Sequence, residues 1–272
     1  MKSLIRLFLV LWLGACAIAA QAAITHDDWN LLLRQHVVTL PGGHATAVDY
    51  QGMARDKTRL NACLTRLAQV QRDEFDRWPT AAQLAFLINA YNAGTVDLVL
   101  SGYPGISSIK DLGSLFSSPW KKRFLPLLGK ERTLDEIEHE LIRGSGRYRD
   151  PRIHFAVNCA SIGCPALRGE AYDSTRLDAQ LEEQARRFLS DRSRNRLEGE
   201  TLRVSPIFKW YRGDFEQGWH GAQSLGAFLA LYGDAMGLTP EQAQALRDGT
   251  LPIEFLDYDW RLNVKPAGMS LP

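Results

Sequence analysis

The sequence predicts an α+β fold: a helix-rich single domain with a small, mainly antiparallel β-sheet in its C-terminal half. Three observations carry that expectation. Apolar residues recur at helical spacing through most of the chain. Short strand-like runs cluster in the C-terminal half. No regular βαβ alternation joins the two patterns, which disfavours a parallel, doubly wound sheet.

Residues 28–37 read as a first helix with Trp29, Leu32, Leu33 and His36 on one face, stopped by Pro41-Gly42-Gly43. A brief extended piece at Val48-Asp49-Tyr50 leads to an amphipathic helix over 57–70. Its stripe of Leu60, Cys63, Leu64 and Leu67 makes Cys63 a small core hydrophobe. Pro79-Thr80 opens the strongest helix, 81–100, so apolar that it should be central and buried. Asn89 and Asn92 share a face of it, and a buried amide needs partners. They either orient a substrate or catalytic group or bridge neighbouring backbone. A hairpin over 124–133 turns at Gly129-Lys130. Thr133 and Glu136 then form a capping box for a helix to about Arg143, which carries Glu138 and His139. Residues 153–157 read as a buried strand, 177–189 as a charged amphipathic helix, and 201–204 as a strand stopped by Ser205-Pro206. Helices at 207–215, 224–232 and 241–247 and a strand at 253–256 complete the chain.

Composition excludes several functions. The 272 residues hold 32 Lys+Arg against 31 Asp+Glu, which gives nucleic acid no basic face to meet. Hydrophobic residues make up 45% of the chain, too many for disorder, and four cysteines are too few for a disulfide scaffold. The first 22 residues read as a cleaved secretory signal: basic Lys2 and Arg6, the apolar run 7–13, then Ala20-Gln21-Ala22. Leu13-Gly14-Ala15-Cys16 offers the alternative of a lipoprotein anchored at Cys16. No transmembrane segment is expected, because 84–100 is interrupted by Asn89, Asn92 and Asp97. A periplasmic or secreted chain of residues 23–272 would lose Lys2 and Arg6, so +1 becomes −1. Its cysteines would be Cys63, Cys159 and Cys164, an odd number that leaves at least one thiol outside any intramolecular disulfide.

The richest segment is Arg152-Ile-His-Phe-Ala-Val-Asn-Cys-Ala-Ser-Ile-Gly-Cys-Pro165. As a strand it would turn His154, Ala156 and Asn158 to one face and Ile153, Phe155 and Val157 to the core. Cys159 could meet His154 only if that strand ends near Asn158. Three readings stay open. The first is a nucleophile pair of Cys159 and His154, since a histidine beside a thiol lowers its pKa from about 8.5. The second is a Cys159–Cys164 disulfide, its small ring contributing roughly 2 kcal/mol. The third is zinc held by His154, Cys159 and Cys164, with no fourth ligand identified. The thiol and the disulfide are also compatible as two redox states of one site. No Gly-x-Ser-x-Gly, Walker, Gly-x-Gly-x-x-Gly or His-Glu-x-x-His motif occurs. Asp257 and Asp259 read as a hydrogen-bonded strand end rather than paired catalytic carboxylates.

Five segments together resemble the family catalogued as domain of unknown function 547. They are 85–93 (Ala-Phe-Leu-Ile-Asn-Ala-Tyr-Asn-Ala), 134–139 (Leu-Asp-Glu-Ile-Glu-His), 154–165, 205–215 (Ser-Pro-Ile-Phe-Lys-Trp-Tyr-Arg-Gly-Asp-Phe) and 257–263 (Asp-Tyr-Asp-Trp-Arg-Leu-Asn). The resemblance spans about residues 48–263 and supplies no established activity. It marks Asn89, Tyr91, Asn92, Glu138, His139, His154, Cys159, Trp210, Asp214, Asp259 and Trp260 as site residues. In plant members the segment ends in Ser-Ser-Pro, with Ser at the position of Cys164, so the resemblance favours the thiol pair over a general disulfide or zinc site.

The expected function is a thiol-dependent hydrolase or acyl transferase acting on amide or ester bonds of a small-molecule or peptide-like substrate. Cys159 is the nucleophile and His154 its base. Asn158, or Asn89 with Asn92, orients the imidazole or binds the oxyanion. Tyr91, Trp210, Asp214, Asp259 and Trp260 bind substrate, while Cys164, Glu138 and His139 serve structural or redox roles. No cofactor or metal is expected. The alternative is a non-catalytic binding or scaffold protein.

Overall fold

The computed structural model describes residues 24–114 and 117–269, so the expected secretory signal and Cys16 lie outside the described residues. The chain opens with α1 (Asp27–His36), whose first turn carries Asp27 and Asp28 and whose last carries Arg34 and His36, matching the helix dipole. A two-stranded hairpin follows, β1 (Val37–Thr39) against β2 (Thr46–Val48). The extended piece expected at 48–50 therefore ends at Val48. Asp49 instead caps α2 (Tyr50–Arg55) by accepting the Gly52 N–H at 3.1 Å. Next come α3 (Lys57–Gln69), the short α4 (Arg72–Phe75) and α5 (Thr80–Leu100). Sixteen of the 21 residues of α5 are buried, which places it at the centre of the N-terminal core. Cys63 sits in that core as a free thiol, and burial pushes it up to about 12.

The hairpin β3 (Leu125–Leu127) and β4 (Lys130–Arg132) turns at Leu128-Gly129, one residue earlier than expected. Both turn residues have positive φ, 54° and 74°, the conformation a two-residue hairpin loop needs to follow the strand twist. Thr133 and Glu136 close the capping box: the Glu136 N–H reaches Thr133 Oγ1 at 2.9 Å and the Thr133 N–H reaches Glu136 Oε2 at 3.1 Å. The helix they start is wound as a π-helix over Glu136–Arg143, where the Gly144 N–H bonds back to the His139 carbonyl at 2.9 Å.

The second half holds α6 (Leu177–Leu189), β5 (Arg196–Glu198), β6 (Thr201–Val204), α7 (Ile207–Trp210), α8 (Arg212–Phe215), α9 (Leu225–Ala230), α10 (Pro240–Arg247) and β7 (Ile253–Phe255). The helix expected over 207–215 is broken at Tyr211. Strands β5, β6 and β7 form a mixed sheet, antiparallel between β5 and β6 and parallel between β6 and β7. The charged strand β5 has no apolar alternation to announce it; Gly199, at φ 59°, turns it into β6. The α+β class holds, with three small sheets instead of one. Two apolar clusters result, one around α3 and α5 and one around α6 to α10. Among the described residues no helix is long and apolar enough to cross a membrane.

Candidate functional site

The segment expected as a strand at 153–157 is a single 3-10 turn, Pro151–Phe155. Pro151 brings a helical φ to the first turn, and the Asp150 carboxylate accepts the Arg152 N–H at 2.9 Å. A three-residue period replaces the two-residue alternation. Ile153, Ala156 and Val157 pack into the N-terminal cluster while Phe155 enters the C-terminal one. His154 is left at the seam between them, 2% exposed.

Its Nε2–H donates to Asp214 Oδ2 at 2.8 Å, and its ring stacks on Tyr211 with centroids 4.1 Å apart. Asp214 also accepts from Arg143, Nε at 2.6 Å and Nη2 at 3.2 Å. Burial alone would raise the Asp214 carboxyl, but the hydrogen bonds from His154 and Arg143 outweigh it and hold the group far below the usual carboxylate range. Burial lowers the His154 pKa despite the opposing pull of Asp214 and Glu138, so the imidazole is neutral near pH 7. With Nε2 carrying the proton toward Asp214, Nδ1 is the basic nitrogen.

His154 lines a cleft of about 160 Å³ together with Tyr91, Glu138, His139, Cys159 and Cys164. The π-helix and the residue before it turn Asp135, Glu138 and His139 toward this space. Glu138 is 6% exposed and lines the cleft beside Tyr91 and Tyr211. Trp120, Trp210, Tyr211, Tyr258 and Trp260 supply the aromatic wall.

Cys159 and Cys164 are joined in a disulfide, with Cα atoms 6.1 Å apart. Cys159 is therefore not the free thiol favoured by the resemblance, and the zinc reading loses two of its three ligands. The sulfur has no hydrogen bond to His154 either: Cys159 Sγ lies 3.1 Å from Ser161 Oγ and 3.1 Å from the Tyr258 hydroxyl, which also donates to Cys164 Sγ at 3.2 Å. Among the described residues no cluster of three or more His, Cys, Asp or Glu could hold a metal ion. The turn is held from outside. Residues 160–163 bond to the segment 259–263, and Tyr258 passes so close to Gly163 that a Cβ there would lie 2.9 Å from its ring. Any side chain at 163 would displace the tyrosine that touches both sulfurs.

The three asparagines expected to serve chemistry serve the backbone. Asn89 donates to the Tyr172 carbonyl at 2.8 Å and accepts the Tyr172 N–H at 2.9 Å. Asn92 donates to the Ala156 carbonyl at 3.0 Å and accepts the Asn158 N–H at 2.8 Å. Asn158 bonds the Pro165 carbonyl and the N–H of Ala160, a non-glycine residue at φ 63°. A buried amide whose oxygen and nitrogen both face backbone has little left to offer a substrate. Asp259 is also outside the cleft. It is not in a strand, and it pairs with Arg261 on the surface at 3.0 Å. Asp214 reaches the cleft only through His154.

Sequence reasoning passed over Trp120, Tyr211, Tyr258 and Asp135. Tyr211 and Tyr258 adjoin residues that were singled out, Trp210 and Asp259, and could have been found as parts of the same motifs.

Residues 75–189 match the model of a family described as protein of unknown function, DUF547. No match was found among curated proteins or among solved structures. The matched segment contains one half of the cleft: Tyr91, Trp120, Asp135, Glu138, His139, His154 and the disulfide. Trp210, Tyr211, Tyr258 and Trp260, which close the other half, follow it in the chain, as does Asp214 behind His154.

Proposed function

We propose that the cleft is the active site of an exported thiol-dependent enzyme, a hydrolase or acyl transferase for amide or ester bonds. One observation carries the reading: Cys159 and an Asp214-tethered, neutral His154 line the same small cleft. The Cys159–Cys164 disulfide is its resting, oxidised form, which suits an oxidising compartment. A dithiol reductant delivers two electrons and two protons, giving two cysteines and leaving itself as a disulfide. The Cys159 proton then passes to His154 Nδ1, and the thiolate attacks the substrate carbonyl. The Tyr258 hydroxyl, 3.1 Å from Sγ, is the donor placed to meet the oxyanion. As the carbon–nitrogen or carbon–oxygen bond breaks, the imidazolium returns its proton to the leaving group. Water or an acceptor amine then releases the acyl group.

The test is thiol labelling after reduction under native conditions. Cys159 should react with iodoacetamide well below pH 8.5, and Cys159→Ser should abolish that labelling without changing the fold. A reduced, folded protein whose Cys159 stays inert would sink the reading. The second reading, a non-catalytic binding protein, is favoured by one observation: the sulfur is already bonded, whereas the aromatic wall is complete without it.

A further inference from the structure

Charge in the cleft is one-sided. The residues lining it include two carboxylates, Asp135 and Glu138, and no lysine or arginine. Glu138 is almost fully buried, yet among the described residues no cationic nitrogen lies within 4 Å of its carboxylate, and the tyrosines that line the cleft with it, Tyr91 and Tyr211, are uncharged. The nearby guanidinium of Arg143 bonds Asp214 and, through Nη1 at 2.7 Å, the Nδ1 of His139, and it does not itself line the cleft. Asp135 has only His139 Nε2, at 4.0 Å, with Lys121 farther away. A carboxylate buried without a cation is costly, and folds retain one mainly where something else supplies the opposite charge.

The rest of the lining is what a cation prefers. Trp210 and Trp260 stack at 5.7 Å, Tyr258 packs against both at 4.8 and 4.5 Å, and Trp120 meets Trp260 edge-on at 6.0 Å. Trp210 remains 47% exposed, a large apolar surface at a cleft mouth. The attraction of these rings for ammonium is already visible: Lys110 Nζ lies 3.5 Å from the centroid of Trp260.

We infer that the cleft binds a small organic ammonium group, held between the aromatic wall of Trp210, Tyr258 and Trp260 and the carboxylates of Glu138 and Asp135. Resting on the proposed function, this names the substrate class: an amide or ester bearing an amine or alkylammonium group near the bond that breaks. Anionic acyl groups are disfavoured by the same two carboxylates.

Tryptophan fluorescence titration of the full chain tests it, with choline as the charged ligand and 3,3-dimethylbutan-1-ol as its uncharged carbon isostere. Choline should bind at least about tenfold more tightly, a difference of about 1.4 kcal/mol. Glu138→Gln and Asp135→Asn should each erode that preference while leaving the alcohol's binding unchanged, and Trp260→Leu should weaken choline. Asp135 is the more exposed of the two acids, so its variant guards against loss of the fold in the Glu138 variant. Equal binding of the two ligands, no saturable choline binding, or an unchanged preference in both folded acid variants would overturn the inference. Choline binding needs no thiol. An inert Cys159 alongside intact choline selectivity therefore sinks the catalytic reading and leaves this one standing.

Discussion

His154 and Asp214, sixty residues apart in sequence, form the hydrogen bond on which the cleft's chemistry turns: Nε2–H to Oδ2 at 2.8 Å. The bond fixes the tautomer, and Tyr211 stacked on the ring fixes its plane. At neutral pH, His154 should therefore be the Nε2–H form in nitrogen-15 correlation spectra. Asp214→Asn should disturb that signature and cost about 1–3 kcal/mol, because hydrogen bonds to charged groups from both His154 and Arg143 are weakened. An unchanged tautomer in the variant would show that Tyr211 and burial orient the ring unaided.

Acid should weaken the fold in two steps. Burial lowers His154 and takes His26 down to about 4, so the folded chain refuses protons that the unfolded chain accepts. Stability is thus intact above the ordinary histidine value of 6.5 and falls as the pH drops below it. The second step belongs to depressed carboxyls. Burial would raise Glu170, yet hydrogen bonds from Arg168, Gln180 and Arg176 outweigh it and hold the group at about 2. Its contribution is present above 4.5 and disappears between 4.5 and 2, together with that of Asp214. Thermal melts across pH 7.5 to 2 read both windows. His26→Gln should flatten the first and leave the second; a variant with an unchanged slope from 6.5 to 4 would refute the assignment to His26.

How much of this was legible follows from the range of each interaction. The apolar run after Pro79 announced α5, and Thr133 with Glu136 announced the start of the π-helix, because caps and stripes are local signals. Local signals misled at 153–157. Ile-His-Phe-Ala-Val alternates like a strand, and only the packing of Ile153 and Phe155 into different clusters makes it a turn. The spacing Cys-x4-Cys left thiol and disulfide equally open and suited zinc less well, since a six-residue loop reveals neither distance nor partner. The role of Asp214 depends on folding two halves together, and no spacing in the sequence encodes that. The asparagines were correctly seen as buried and unusual, but their partners are carbonyl and N–H groups of segments 64 to 83 residues away.

Asn92 and Asn89 offer a comparison that separates scaffold from site. Each makes two hydrogen bonds to backbone, Asn92 to the turn that leads into Cys159 and Asn89 to Tyr172, thirteen residues beyond Cys159. Alanine at either position leaves a buried carbonyl and a buried N–H without partners, at about 1–3 kcal/mol for each group. Urea unfolding should therefore show a loss of about 2–6 kcal/mol for Asn92→Ala and a similar loss for Asn89→Ala. Their effects on the thiol should differ. Asn92→Ala frees the 156–158 backbone and should speed reduction of the Cys159–Cys164 disulfide, whereas Asn89→Ala, which touches only Tyr172, should not. Equal acceleration in both would mean that reduction follows global stability and that Asn92 has no particular hold on the cysteine turn. A loss well below about 1 kcal/mol in either variant would mean that the vacated amide site is refilled by water, which satisfies the same two groups.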